Sequence, residues 1–145
     1  VQRLVNSSYN EGKPAMLLFA DMDNLKQVND RFGHKNGDYA IKSIAQILQQ
    51  SFEADDVIGR IGGDEFVAFC FLDDPHTPDD LCDKIKMLSE HLNETNEKPY
   101  YVDISVGVST FICNPTLNIE DVLHQADESL YEHKKNKRKD VLKPV

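Results

Sequence analysis

The segment VIGRIGGDEFVAFCF, residues 57–71, carries the clearest structural signal in this sequence. Apolar runs at 57–61 and 66–71 flank the four residues Gly62-Gly63-Asp64-Glu65, and this pattern predicts a β-hairpin with a tight turn. Glycine adopts backbone conformations that other residues avoid, so we expect the turn itself to require both glycines. The hairpin would then present two adjacent carboxylates at its tip.

A second acidic group follows another apolar run. Met16–Ala20 reads as a strand, and Asp21-Met22-Asp23 comes directly after it. If this strand lies beside the hairpin, Asp21 meets Asp64 and Glu65 at one edge of the sheet. Carboxylates grouped in this way are hard oxygen ligands suited to Mg²⁺, an ion that commonly serves phosphoryl chemistry.

Helical periodicity follows the first strand. A short helix is expected at Asn24–Phe32 with Asp23 as its N-terminal cap. A loop is expected at Gly33–Gly37, with Asp38 capping the next helix. As isolated residues, these aspartates are more typical of caps and turns than of functional sites.

The remaining periodic segments complete the predicted fold. They are a helix at Leu81–Leu92, a strand at Tyr100–Val108 and a helix at Ile119–Tyr131. The resulting order, β-α-α-β-β-α-β-α, predicts an α+β layer fold with a mainly antiparallel central sheet flanked by helices. Because no linker or repeat interrupts the pattern, residues 1–145 are expected to form a single domain.

The charge distribution separates two regions. The formal net charge of −9 argues against non-specific binding to nucleic acid. Residues 133–145 nevertheless carry six Lys or Arg and one Asp, which is typical of either a solvated tail or part of an anion site. Within this segment, Lys134 and Arg138 would share a helix face, where they could bind a phosphate or complement the helix dipole.

The cysteines and the hydropathy pattern bear on the compartment. No segment is long and apolar enough to span a bilayer, and the N-terminus lacks a signal-peptide pattern. The three cysteines are odd in number and widely spaced, and Cys70 falls in an apolar run. We therefore expect reduced thiols and a cytoplasmic domain without membrane contact of its own, whether or not the parent protein is membrane-anchored.

Nucleotide recognition is suggested by a pair of polar residues. Asn29 and Asp38 flank the glycine-rich loop, and an amide with a carboxylate can read the hydrogen-bonding edge of a purine, guanine in particular. The sequence lacks the glycine-rich signatures of P-loop and Rossmann sites and the nucleophile motif of serine hydrolases. Any phosphate chemistry would therefore depend on the acidic clusters.

Five segments, in this order, resemble the GGDEF domain family: DMDNLKQVND at 21–30, GHKNGD at 33–38, RIGGDEF at 60–66, SVG at 105–107 and ADESLYEHKKNKR at 126–138. The resemblance covers roughly residues 16–140. It implies a fold similar to nucleotidyl cyclases and polymerase palm domains. It also implies the activity of a diguanylate cyclase, which condenses two GTP molecules into cyclic di-GMP and releases two pyrophosphates.

The resemblance assigns roles to the acidic residues. Asp64 and Glu65 would be the catalytic pair, with Asp64 as the base, or the relay to the base, for the ribose 3′-hydroxyl. The metal would be Mg²⁺, with Mn²⁺ as the alternative ion, bound by Asp21, the carbonyl of Met22, Asp64 and Glu65.

The resemblance also implies how GTP is bound. One domain holds one GTP, so a homodimer is needed for each 3′-hydroxyl to attack the other molecule. The implied substrate-binding residues are Asn29 and Asp38 at guanine, Gly62 and Gly63 close to the phosphates, and Lys134 and Arg138 at the terminal phosphates.

The chain departs from the family pattern at two points. It begins after most of the segment that opens the family, which implies an N-terminally truncated domain from a parent protein with a sensor domain. Many members carry an inhibitory Arg-x-x-Asp site for the product. Here Asp56 is present but Glu53 stands at the Arg position, so we expect this feedback to be absent.

Two other hypotheses remain open at the level of sequence. One is a catalytically silent GGDEF module that binds GTP and acts as a regulator. Degenerate modules usually lose a metal carboxylate or a guanine contact, so the enzyme is favoured because the chain retains all of them: Asp21, Asn29, Asp38, Asp64 and Glu65. The other is a purely structural dimerisation domain, which would leave both acidic clusters unexplained.

Overall fold

The computed structural model describes residues 1–72, 77–137 and 140–144. The elements within these ranges are α1 (Gln2–Asn6), a 3₁₀ turn (Ser8–Asn10), β1 (Pro14–Met22), α2 (Leu25–Phe32), α3 (His34–Ser51), β2 (Val57–Arg60), β3 (Glu65–Phe71), α4 (Pro78–Thr95), β4 (Ile104–Ile112) and α5 (Ile119–Lys135). From β1 onward, their order is the one predicted from the sequence.

The four strands form one antiparallel sheet in the order β2-β3-β1-β4. The predicted α+β fold, with a mainly antiparallel sheet and flanking helices, is therefore confirmed. In this register, Asp21 of β1 lies opposite Glu65 of β3 on one side and Ser105 of β4 on the other. The acids of β1 and of the hairpin thus reach the same edge of the sheet.

Side-chain alternation along β1 divides the hydrophobic core into two layers. Met16, Leu18 and Ala20 point into the larger layer, which packs against α2, α3 and α4. Ala15 and Leu17 point to the opposite face, where α1 and α5 close a smaller layer. Because both faces are covered, β1 reads as a continuous apolar run rather than an alternating one.

Helix α5 packs closely on the edge strand β4. Gly107 of β4 leaves no room for a side chain, because a Cβ there would lie 2.1 Å from the carbonyl oxygen of Ala126 and 2.3 Å from the nitrogen of Leu130. Close approach of two backbones commonly requires glycine. The depth of α5 on the sheet, and with it the position of its last turn, is fixed by this contact.

Helix α5 also bonds to the outer edge of β4. The N–H of Val106 donates to His133 Nδ1 at 2.9 Å, and the N–H of Val108 donates to Ser129 Oγ at 3.0 Å. These backbone groups face away from β1 and would otherwise need water or another strand. Side chains of α5 therefore satisfy part of this sheet edge.

The first predicted helix cap is wrong. Helix α2 begins at Leu25, and its N-terminal neighbour Asn24 adopts the left-handed conformation with φ 61°. This residue turns the chain from β1 into α2 and leaves Asp23 outside the helix. The Asp23 carboxylate instead accepts a hydrogen bond from Ser105 on β4.

The second predicted cap is also wrong. Helix α3 begins at His34, so the expected loop is reduced to one residue, Gly33, with φ 87°. Asp38 therefore lies inside α3 and not at its start. A single glycine with positive φ can reverse the chain between two helices, and no longer loop is needed.

The fourth strand is displaced from its predicted position. It begins at Ile104 instead of Tyr100 and continues to Ile112. Tyr100 forms an isolated antiparallel bridge with Leu142, and the Tyr101 N–H donates to the Val141 carbonyl at 2.8 Å. The backbone before Ile104 thus pairs with residues near the C-terminus of the sequence and not with β1.

Two further sequence expectations can be compared with the structure. All three cysteines are free thiols, and Cys70 is buried, as expected from its apolar run. Within the described ranges, no helix is both long and apolar enough to cross a bilayer.

Candidate active site

Three carboxylates meet where β1 and the β2–β3 hairpin end. Asp21, Asp64 and Glu65 each offer one oxygen, and these three oxygens lie within 4.8 Å of one another. The strand register produces this arrangement: Asp21 lies opposite Glu65, and the N–H of Met22 lies 3.4 Å from the carbonyl oxygen of Asp64. The structure thus brings together the acids that the sequence predicted to converge.

Asp21 is the most buried member of this acidic cluster, with a side chain only 7% exposed. Its Oδ1 is buried and receives no hydrogen bond from the described part of the chain. Burial raises the pKa of Asp21 to about 6, with an opposing effect from the hydrogen bond with Lys134 and a further increase from Asp64. A cation would stabilise these neighbouring carboxylates.

The donor set of the cluster fits a hard divalent cation. Three carboxylate oxygens at this spacing are ligands of the kind that Mg²⁺ takes. Met22, the fourth predicted ligand, is 2% exposed and packs in the core, so only its backbone carbonyl could contribute. Metal binding by these residues stays a prediction.

Lys134 reaches the cluster from the last turn of α5. Its ammonium donates a hydrogen bond to Asp21 Oδ2. Partial burial lowers the pKa of Lys134, but the hydrogen bond and the charge of Asp21 outweigh this, so the pKa is raised and the side chain stays cationic. A fixed positive charge beside three carboxylates is suited to contact a phosphate that a metal also binds. Arg138, the other predicted phosphate ligand, lies outside the described residues.

Asp23 supports the end of β1 without joining the cluster. Its Oδ1 accepts a hydrogen bond from Ser105 Oγ at 2.6 Å, and its Oδ2 lies 3.6 Å from Lys137 Nζ. Lys137 Nζ also donates to the carbonyl of Ile104 at 3.0 Å. The sequence motifs included Ser105 and Lys137 but predicted neither contact. The position of Ser105 opposite Asp21 becomes visible only once the β1–β4 register is known.

The hairpin turn spans residues 61–64 and is closed by a hydrogen bond from the Ile61 N–H to the Glu65 carbonyl at 3.0 Å. Neither Gly62 nor Gly63 has a positive φ, so the prediction that the turn itself requires glycine is wrong. A four-residue loop can close in ordinary backbone conformations. A Cβ at Gly63 would meet nothing within 4 Å, and one at Gly62 only Glu65 atoms at 3.7 Å or more. The glycines therefore leave open backbone surface beside the acids.

Arg60 holds this turn from the preceding strand. Its Nε donates to the carbonyl of Gly62 at 3.0 Å, and one of its terminal nitrogens donates to the carbonyl of Gly63 at 2.6 Å. The sequence motif included Arg60 without giving it a role. These two bonds fix the backbone immediately before Asp64.

Asn29 and Asp38, the predicted base-reading pair, lie on the consecutive helices α2 and α3. Asn29 is half-buried and Asp38 is exposed. Gly37 packs against the Asn29 carboxamide, since a Cβ at residue 37 would lie 1.8 Å from Asn29 Oδ1. The Asn29 side chain therefore lies across the first turn of α3, next to the residue that precedes Asp38.

A cleft of about 550 Å³ opens beside the acidic cluster. It is lined by Asp21 and Glu65 from the sheet and by the last turns of α5, including Lys134. Asn29 is not among the residues that line this cleft. It lies about 6 Å along α2 from Leu25, the residue at which α2 begins after β1. A ligand that contacts both regions would therefore have to extend along α2.

Comparison with known proteins gives one consistent family. The family model described as diguanylate cyclase, GGDEF domain, matches residues 1–140. The chain is 36% identical over 137 residues to the probable diguanylate cyclase DgcJ of Escherichia coli, an alignment that covers 94% of this chain and 26% of that protein. It is 33% identical over 122 residues to the diguanylate cyclase DgcS of Shewanella oneidensis, covering 84% and 40% respectively. The chain thus spans well under half the length of these relatives.

The solved structures agree with the sequence relatives. A microbial GGDEF domain, described for its interaction with bis-(3′,5′)-cyclic di-GMP, matches with a TM-score of 0.71 and 28% identity. The match covers 97% of this chain and 86% of that structure. The sheet and helices described above therefore have a close structural counterpart.

Proposed function

Because the chain belongs to the GGDEF family of diguanylate cyclases, we propose that it condenses two GTP molecules into cyclic di-GMP and two pyrophosphates. The observation that carries this proposal is the convergence of Asp21, Asp64 and Glu65 within 4.8 Å, with Lys134 bonded to Asp21. Acids grouped beside a fixed cation are suited to bind a metal and a phosphate together.

We assign the acidic cluster to Mg²⁺, held by the carboxylates of Asp21, Asp64 and Glu65 and the carbonyl of Met22. When bound there, Mg²⁺ would neutralise charge on the reacting phosphate and favour ionisation of the attacking hydroxyl. Asp21 would stay ionised more readily with the cation bound, because the opposite charge counteracts the effect of burial on its pKa.

In the proposed reaction, the ribose 3′-oxygen of one GTP forms a bond to the α-phosphorus of the other GTP. The bond from that phosphorus to the pyrophosphate oxygen breaks, and the hydroxyl proton passes to Asp64, acting as the base or as the relay to it. The same step with the roles of the two nucleotides exchanged closes the ring. Lys134 and Arg138 would bind the terminal phosphates and stabilise the departing pyrophosphate. The open backbone at Gly62 and Gly63 would allow the phosphates to approach closely.

The guanine base is assigned to the α2–α3 region. The Asp38 carboxylate would accept hydrogen bonds from N1–H and the exocyclic amine of guanine, and the Asn29 carboxamide would bind another part of the same edge. Each domain would hold one GTP, so two copies would have to place their nucleotides face to face. The homodimer, a sensor domain in the parent protein and a cytoplasmic location stay predictions.

The test of this proposal is a product assay. Concentrated protein would be incubated with GTP and Mg²⁺, and cyclic di-GMP would be detected by chromatography and mass spectrometry. We expect product from the wild type, none from Asp64→Ala and none after chelation of the metal. If a sample with enforced dimerisation binds GTP but forms no product, the silent regulatory module becomes the better function.

We further propose that product feedback through the Arg-x-x-Asp site is absent. Asp56 Oδ2 accepts a hydrogen bond from the backbone N–H of Glu53 at 2.8 Å, so this carboxylate already stabilises a local turn. A carboxylate at residue 53 would repel a phosphate that arginine would bind. Added cyclic di-GMP should leave the initial rate of the wild type unchanged and should inhibit Glu53→Arg. Inhibition of the wild type that Glu53→Arg does not strengthen would contradict this assignment.

A further inference from the structure

We infer that Tyr100 is a positioning residue for base recognition: its buried hydroxyl, bonded to Asn36, holds helices α2 and α3 at the spacing that Asn29 and Asp38 need to read guanine. The inference rests on the proposed function, because it concerns how the GTP site is shaped. Tyr100 itself contacts Phe32 and Asn36 at the junction of the two helices and is not assigned to touch the nucleotide.

Asn36 braces the junction between the two helices. Its Nδ2 donates to the carbonyl of Phe32, the last residue of α2, at 2.9 Å. Its own backbone N–H donates to the carbonyl of Gly33 at 3.1 Å. One residue in the first turn of α3 is therefore bonded to both the end of α2 and the single glycine between the helices.

The side-chain oxygen of Asn36 accepts hydrogen bonds from residues outside α2 and α3. Asn36 Oδ1 receives a hydrogen bond from the Tyr100 hydroxyl at 2.8 Å and a longer one from Lys98 Nζ at 3.4 Å. Lys98 Nζ also lies 4.7 Å from the ring centre of Tyr39, the neighbour of Asp38. The segment 98–100 thus contacts α3 on both sides of the residue assigned to guanine.

Tyr100 is itself held firmly. It is 0% exposed, and its ring centre lies 5.0 Å from that of Phe32. Its backbone pairs with Leu142, and the N–H of Lys143 donates to the carbonyl of Pro99 at 2.9 Å. Burial raises the pKa of Tyr100 to about 12, so the hydroxyl is a proton donor throughout the physiological range.

The consequence for recognition follows from the tight packing at the junction. Gly37 lies directly against the Asn29 carboxamide, where even a methyl group would not fit. A small rotation of α3 relative to α2 would therefore move Asn29 and Asp38 with respect to each other. Loss of the Tyr100–Asn36 bond should loosen this spacing while leaving the acidic cluster on the sheet in place.

The test is Tyr100→Phe, which removes the hydroxyl and keeps the ring packed against Phe32. We expect the KM for GTP to rise and the preference for GTP over ATP to fall, each by about tenfold, because a buried hydrogen bond contributes about 1.4 kcal/mol. The kcat at saturating GTP should change less than twofold. Asn36→Ala should have a similar effect, and the double variant should lose no more than the larger single effect, since both remove the same bond.

Ser51→Ala is the matched control. Like Tyr100→Phe, it deletes one buried hydroxyl. The Ser51 hydroxyl donates to the carbonyl of Ile47 at 2.7 Å, and it lies at the end of α3 that is far from Asn36. It should lower stability without changing the nucleotide preference. A wild type that does not prefer GTP would contradict the proposed function and this inference together. A wild-type preference that Tyr100→Phe retains in full would contradict the inference alone.

Discussion

Asp21 and Asn29 are close in sequence, yet the fold holds them by different means. Asp21 lies in the central strand, and hydrogen-bonded neighbours on both sides fix its position opposite Glu65 and Ser105. Asn29 lies on a helix that meets its partner helix through one glycine, and the junction is held by local backbone hydrogen bonds at Gly33 and by side-chain contacts of Asn36. The acidic cluster is thus placed by sheet register. The region proposed to read the base, which consists of Asn29, Asp38 and the α2–α3 junction, is placed by local bonds and packing.

This difference teaches which region tolerates change. The acidic cluster contains a side chain 7% exposed whose pKa is raised, so charge changes there should affect both chemistry and stability. The base-reading region combines a half-buried amide with an exposed carboxylate, so changes there should affect selectivity and leave the fold intact. The four predictions below test this separation.

The largest effect is expected at the acidic cluster. Asp64→Ala removes one of the three proposed carboxylate ligands of the metal and the assigned proton acceptor, and should lower turnover by about 10³-fold or more. GTP binding, measured by calorimetry, should weaken far less, because Asn29, Asp38 and Lys134 remain. Asp83→Ala, at an exposed aspartate of α4 away from the cleft, is the control and should keep wild-type turnover. Wild-type turnover in Asp64→Ala would exclude Asp64 from the metal site.

A smaller effect, confined to selectivity, is expected at the other region. Asp38→Ser should reduce the ratio of kcat/KM for GTP over ATP by roughly 10- to 100-fold, because one carboxylate–guanine contact is worth about 1.5–3 kcal/mol. The melting temperature should stay close to that of the wild type, since Asp38 is exposed. Asp83→Ser, at an exposed aspartate of α4, serves as the control. An unchanged ratio would remove Asp38 from base recognition.

The third prediction concerns pH and stability. The pKa of Asp21 is raised from its ordinary value of 3.8 to about 6 by burial, so the folded state holds this proton more tightly than the unfolded state. The associated stabilisation is fully present below about pH 4 and is lost as the pH rises through about 6. In metal-free buffer, the free energy of unfolding of the wild type should fall relative to Asp21→Asn by about 3 kcal/mol across this interval.

Urea unfolding of both proteins at several pH values provides the measurement. Any constant offset from leaving Lys134 without its partner is present at every pH in this range and does not affect the slope. A difference between the two proteins that does not vary with pH would show that Asp21 is not the group responsible.

The smallest effect is expected at Gly37, where one substitution should lower GTP affinity and raise stability. Gly37→Ala places a methyl group where the Asn29 carboxamide now lies, 1.8 Å from its Oδ1, so that side chain must move. GTP affinity should fall about fivefold, yet stability should rise by up to about 1 kcal/mol, because alanine favours a helix interior over glycine. Titration with GTP and urea unfolding would measure the two changes.

Asn29→Ala supplies the comparison for this last prediction. Once the carboxamide is absent, Gly37→Ala should cause no further loss of GTP affinity. A separate, additive loss would mean that residue 37 acts on the nucleotide by another route.

The sequence predicted the acidic cluster itself, but it did not predict the contacts and the turn that hold the end of β1 in place. Alternation and apolar runs predict strands. One strand that ends in acids and one hairpin with acids at its turn predict a shared edge of the sheet, which the structure has. The contact between Ser105 and Asp23 depends on which strand borders β1 on its other side, and periodicity does not contain that information. The left-handed Asn24 was likewise unpredicted, because a nearby aspartate offered a more common capping residue.

The helical junction was harder to predict for a related reason. A five-residue segment with a glycine at each end reads as a loop, but only Gly33 leaves the helical conformation. The remaining residues stay helical because Asn36 finds partners on Phe32 and Tyr100, the second of which is 64 residues away in sequence. Tertiary contacts of this kind override local preference.

The bonds from β4 to His133 and Ser129 bear on how the molecule can associate. An added strand would need the outward N–H groups of Val106 and Val108, and α5 side chains already accept from both. If two copies were to form one continuous sheet by pairing along β4, those bonds would have to break first. Two copies that meet for the proposed reaction would therefore be expected to join elsewhere than by strand pairing along β4, and the same bonds make this edge a poor template for β-aggregation.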